Sequence, residues 1–118
     1  MYGLPNDFDP QIFVGRRLET VTFAVNVIVL AFGDQLTVTI LGSLPYFPAG
    51  DVEIRVDRPP VSSTSLVSVV GRNVVAFDLK SPRELILEFE GRASITLLDD
   101  SDSYESYLIK TGKREIVV

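Results

Sequence analysis

Shifted by 56 positions, this chain of 118 residues lies on itself: Val14-Gly15-Arg16 falls on Val70-Gly71-Arg72. With one residue inserted, Ile28, Leu30 and Phe32 fall on Leu85, Leu87 and Phe89, and Thr39 and Leu41 on Thr96 and Leu98. Toward the end, Gly50, Glu53, Ile54 and Val56 answer Gly112, Glu115, Ile116 and Val118. A chain that repeats in sequence is expected to repeat in fold, which constrains architecture more than any single motif. Two units are too few for a solenoid. The expectation is therefore one domain, 1–118, made of related halves at roughly 10–57 and 62–118.

Each half opens with a helix signal. Asp9 can cap and Pro10 suits the first helical position, while Gly15 supplies the left-handed residue that ends a helix. Ser62 or Ser63 and Gly71 offer the same devices in the second half. Strands follow. Val21, Phe23 and Val25 alternate with Thr20, Thr22 and Ala24, and Val75, Phe77 and Leu79 share a face opposite Asp78. Ile28, Leu30 and Phe32, with their counterparts Leu85, Leu87 and Phe89, mark second strands. Tight two-residue turns are expected at Gly33-Asp34 and Glu90-Gly91.

Returning strands place Leu36, Val38 and Ile40, or Ala93, Ile95 and Leu97, on the inner side. The late parts diverge: 104–110 and 114–118 read as strands, whereas Pro45 and Pro48 reduce 44–48 to an edge or loop. The linker 57–61 is too short to separate independent domains. The fold class is mainly β, with α+β as the alternative. It is read as two tandem units, each a short helix plus an antiparallel β-meander, packed about a pseudo-two-fold axis. The expected core is Val21, Phe23, Ile28, Leu30, Phe32, Val38, Ile40, Phe77, Leu79, Leu85, Leu87, Phe89, Ile95, Leu97 and Ile116.

Composition narrows the chemistry. Apolar residues form 46% of the chain, too many for a disordered one. The longest apolar run, 25–32 broken by Asn26, falls far short of the ~20 residues that span a bilayer. The opening Met1-Tyr2-Gly3-Leu4-Pro5 has no basic n-region or apolar h-region, so no signal peptide is expected. With no cysteine, the default location is the cytoplasm. The net charge is −5 and the basic residues are scattered, which argues against nucleic acid. Without histidine or cysteine, the commonest acid–base groups, nucleophile triads and metal ligands are gone. No glycine-rich phosphate loop is present. The reading leans away from an enzyme and assigns no catalytic residue, metal or cofactor.

Three features remain as candidates. The first is Asp99-Asp100-Ser101-Asp102-Ser103-Tyr104-Glu105, whose carboxylates could bind calcium but lack the EF-hand glycine, or could form a solvated loop. The second is Tyr104-Glu105-Ser106-Tyr107, where strand alternation sends the two rings to opposite sides, one expected in the core. The third is the outward side of the second strand: Val27, Val29 and Ala31 in one half, Ile86, Glu88 and Glu90 in the other. That apolar face is covered either internally or by another subunit.

The second-half meander, led by Val-Gly-Arg and followed by Leu85-Ile86-Leu87-Glu88-Phe89-Glu90-Gly91, Tyr104-Glu105-Ser106-Tyr107 and Glu115-Ile116-Val117-Val118, resembles small bacterial β-rich proteins without an assigned function. Some of these look like immunity partners of polymorphic toxins. The resemblance covers chiefly 66–118 and implies a small bacterial binding protein.

The leading expectation is thus a non-enzymatic cytoplasmic module that binds a basic protein through Asp100, Asp102, Tyr104, Glu105 and Tyr107. An alternative is a small-ligand or enzymatic site in a groove between the halves, with Arg16, Arg72, Glu53 and Glu115 near the axis. A third is a structural homodimer through Val27, Val29 and Ala31.

Overall fold

The computed structural model describes residues 3–24, 27–33, 35–42, 44–47, 54–56, 64–99, 106–112 and 114–118. Among these residues, ten strands form two antiparallel sheets. In chain order they are β1 (Thr20–Ala24), β2 (Val27–Ala31), β3 (Leu36–Ile40), β4 (Leu44–Phe47) and β5 (Ile54–Val56), then β6 (Val74–Ser81), β7 (Glu84–Phe89), β8 (Ser94–Leu98), β9 (Tyr107–Thr111) and β10 (Arg114–Val117). Sheet I has the order β1-β2-β3-β9-β10, and sheet II the order β5-β4-β8-β7-β6. Each sheet therefore takes three consecutive strands from one half and two from the other. The first three strands of each half form the expected antiparallel meander, while the last two cross to the other sheet.

The halves cross at an isolated antiparallel bridge between Arg17 and Asn73. Around it, Leu18 N–H donates to Arg72 O at 3.0 Å and Val74 N–H to Arg16 O at 2.7 Å. Gly15 N–H reaches Val74 O at 2.8 Å, and Gly71 N–H reaches Leu18 O at 2.7 Å. Gly15 (φ 86°) and Gly71 (φ 92°) hold the left-handed conformation that these turns into the crossing require. Phe32, just after β2, and Phe89, the last residue of β7, donate their N–H groups to Leu36 O and Ala93 O, both at 2.8 Å.

Local chemistry explains several departures from the sequence expectations. The helices are short 3-10 segments, Pro10–Phe13 and Thr64–Val69, the first capped by Asp9 Oδ1 accepting from Gln11 N–H at 2.9 Å. The expected caps Ser62 and Ser63 lie outside the described residues. The two hairpins close over three residues rather than two, and Gln35 (φ 62°) and Arg92 (φ 65°) take the left-handed position before the returning strand. Segment 44–48 was expected as an edge or loop, yet β4 lies inside sheet II. Proline is tolerated because Pro45 pairs only with Arg55 of β5, and β8 joins β4 at Tyr46 and Phe47.

One buried apolar cluster draws on both sheets. Phe32 and Phe89 stack across it at 6.3 Å between ring centres, and Phe13 meets Phe32 edge-on at 5.3 Å. Eleven of the expected core residues are fully buried, while Val21, Phe23 and Phe77 are partly buried against the cluster. Leu79 is a correction: it is 42% exposed, because β6 is an edge strand whose register shifts on both sides of it. Val75 is also exposed, since the first of these bulges turns Val74 inward in its place.

Replacing Phe32 by alanine is expected to cost about 3–5 kcal/mol in denaturant melts. The same truncation at Leu79 is expected to cost less than about 1 kcal/mol.

Candidate functional site

The acidic segment is described at its two stems. Asp99 ends the chain run after β8 and its N–H donates to Arg83 O at 2.8 Å. Its side chain is fully enclosed. Oδ2 accepts from Gly3 N–H at 3.0 Å and lies 3.6 Å from Arg83 Nε, while Oδ1 accepts from the Ser106 hydroxyl at 3.3 Å. Ser106 N–H in turn donates to Val118 O at 2.6 Å, and Ser106 O accepts from Leu41 and Gly42. A buried carboxylate is stable only when paired and hydrogen-bonded, and here all three kinds of partner come from different parts of the chain. Asp99 is thus a clamp joining the N-terminal segment, the β6–β7 turn and both ends of 100–105.

Gly3 makes this clamp feasible. Its φ is 82°, and a Cβ there would stand 2.6 Å from Pro82 O. No sequence signal announced the contact, because Gly3 and Asp99 are 96 positions apart.

Tyr107 corrects one expectation. It was a candidate partner contact, but its ring is only 1% exposed and belongs to the core. Its hydroxyl has no hydrogen-bond partner among the described residues. Burial raises its pKa above the ordinary 10.0, and the charge of Asp99 raises it further. Asp100, Asp102, Tyr104 and Glu105 lie outside the described residues.

Of the groove candidates, three lie among the described residues. Arg16 and Arg72 flank the crossing, where Arg16 Nη1 donates to Phe32 O at 3.5 Å and Arg72 Nη1 to Glu90 O at 3.3 Å. Both therefore bond the hairpin backbones, and Phe13, Leu18, Val69 and Val74, near them in the chain, are buried in the core. Glu115 stands opposite Lys110 on β9–β10, far along sheet I, and Glu53 lies outside the described residues. Lys110 also borders a shallow hollow of about 340 Å³ with Gln35, Thr37 and Gly112.

Val27, Val29 and Ala31 face outward, half-buried among their neighbours. The strand register extends their face into two rows: Thr22, Val29, Thr39, Leu108 and Val117, then Thr20, Ala31, Thr37, Lys110 and Glu115. Only the last two of these carry charge, and they sit side by side. The outward side of sheet II differs, with Asp78, Lys80, Glu84 and Glu88 on β6 and β7.

Among the described residues no three His, Cys, Asp or Glu side chains gather to hold a metal ion, and no helix is long and apolar enough to cross a membrane. Comparison with protein-family models, curated proteins and solved structures finds no match.

Titration of Tyr107 has a definite sign. The unfolded chain releases its proton from about pH 10 upward while the folded chain retains it. Stability from this group is intact below pH 10 and falls above it by about 1.4 kcal/mol per pH unit. Tyr107→Phe is expected to flatten that alkaline decline in melts from pH 8 to 12. At neutral pH it should be neutral or stabilising by up to roughly 1 kcal/mol, since it removes a buried hydroxyl with no partner among the described residues.

Proposed function

We propose that this chain is a non-enzymatic protein-binding module that presents segment 100–105 to a basic partner protein. The observation that carries the reading is the pinned stem: Asp99 and Ser106 are buried, bonded to each other and tied to three other parts of the fold. A segment held at both ends loses less freedom on binding than a free loop does, so more of its contact energy becomes affinity. Its sequence supplies Asp100, Asp102 and Glu105 for electrostatic attraction and Tyr104 as an aromatic anchor. The resemblance of 66–118 to small bacterial β-rich proteins adds neutralisation of a toxin as a specific version of this role. Absence of cysteine suits a cytoplasmic setting.

The same reading takes the two halves as products of an internal duplication packed about a pseudo-two-fold axis. Support comes from the reciprocal bonds around Arg17 and Asn73 and from the matched places of Phe32 and Phe89. The first half carries Gly42-Ser43-Leu44-Pro45 where the second carries its carboxylates, so function belongs to the half that changed.

The test is a triple variant, Asp100→Asn, Asp102→Asn and Glu105→Gln, used beside the wild type to capture partners from a bacterial lysate at low and high salt. The wild type should retain one stoichiometric basic protein, and purified components should associate roughly tenfold more slowly with the variant at low salt. The melting temperature should not move. Equal association of variant and wild type across the salt series would overturn the proposal.

A further inference from the structure

Two five-stranded sheets have four edges, and an edge strand offers its unpaired N–H and C=O groups to any other strand. Three of these edges are blunted. β10 carries Arg114 and Glu115, with Arg114 Nη2 bonded to Asp7 Oδ1 at 2.9 Å. β6 carries Asp78 and Lys80, an ion pair at 3.0 Å, and two register shifts that break its line. Among the described residues, β5 has three. Charges, bulges and shortness are the usual protections against edge-to-edge pairing.

The fourth edge, β1, has none of them. Thr20-Val21-Thr22-Phe23-Ala24 is uncharged, contains no proline and keeps an unbroken register with β2 from Thr20↔Ala31 to Ala24↔Val27. Thr20, Thr22 and Ala24 are exposed, while Val21 and Phe23 are only partly buried against the core.

We infer that β1 pairs antiparallel with β1 of a second copy of this chain, joining two copies of sheet I into one continuous ten-stranded sheet. The sequence of β1 is self-complementary about its centre. With Thr22 opposite its own copy, Val21 faces Phe23 of the second chain, and Thr20 faces Ala24. Aromatic–β-branched and Thr–Thr pairs are among the favourable cross-strand combinations, and the pairing keeps inner and outer faces in phase. Charge points to the same occupant. The chain carries a net −5, so two copies repel unless they meet where neither is charged, and β1 and the rows beside it meet that condition. The pairing is also closed. Once the two β1 strands meet about a two-fold axis, the new sheet ends on a charged β10 at each side, and growth stops at two.

Thr22 is exposed, so its replacement should leave the fold intact. Sedimentation of the wild type over a range of concentrations is expected to show the mass rising from 13.0 kDa toward twice that value. Thr22→Lys or Thr22→Glu alone places like charges opposite each other and should weaken association at least tenfold with an unchanged melt. Mixing the two variants should restore a one-to-one dimer, because each lysine then faces a glutamate. Leu108→Lys, across the outer face of sheet I from β1, should leave the dimer intact. A wild type that stays monomeric at all concentrations overturns the inference. So does a dimer that survives Thr22→Lys, or one lost with Leu108→Lys, which would place the interface on the sheet face.

Discussion

The backbone bonds that join 15–18 to 71–74 hold the two halves where each can complete the other's sheet. Alone, β1 to β3 would be a three-stranded meander with an open side at β3. β9 fills that side, pairing Leu36↔Thr111 through Ile40↔Tyr107, and β8 is completed by β4 in the same way. Because the completing strands come from the opposite half, neither half can form its sheet without the other. Phe32 and Phe89 stack at this shared centre, so the aromatic core depends on the same crossing. Two short halves thereby obtain a single core large enough to offset the conformational entropy of ordering them.

Strands β3 and β8 each release the chain toward the other sheet, through the connections 41–43 and 99–106. Asp99 and Ser106 stabilise the second of these connections with a buried carboxylate–hydroxyl contact and a bond from Gly3. That arrangement converts an ordinary connection into a fixed base for an acidic segment. In contrast, the Val-Gly-Arg motif, the most visible word of the repeat, proves to be fold chemistry. Its glycines turn the chain into the crossing, and its arginines donate to hairpin carbonyls.

Charge is distributed unevenly over the two sheets. Sheet II is charged on its outward face and sheet I is nearly neutral there, although the period-two pattern within each strand gives no hint of which strands become neighbours. The neutral rows of sheet I arise only when β9 and β10 arrive beside β3, bringing Leu108 and Val117 into line with Thr22, Val29 and Thr39.

The sequence by itself determined most of the strands and most of their inward faces. Alternation fixed Ile28, Leu30, Phe32, Leu85, Leu87 and Phe89 as core, because a strand of period two can bury only one side. It left the partners of those strands open, since hydrogen-bond pairing between β3 and β9, from Leu36↔Thr111 to Ile40↔Tyr107, joins residues more than half the chain apart and has no local signature. The candidate site divided along the same line. Carboxylates and tyrosines were visible as residue types, but only the tertiary structure turned Asp99 inward to a glycine 96 positions away and placed Tyr107 in the core. Burial of a polar group is settled by which distant groups arrive to bond it, and local sequence does not encode their arrival.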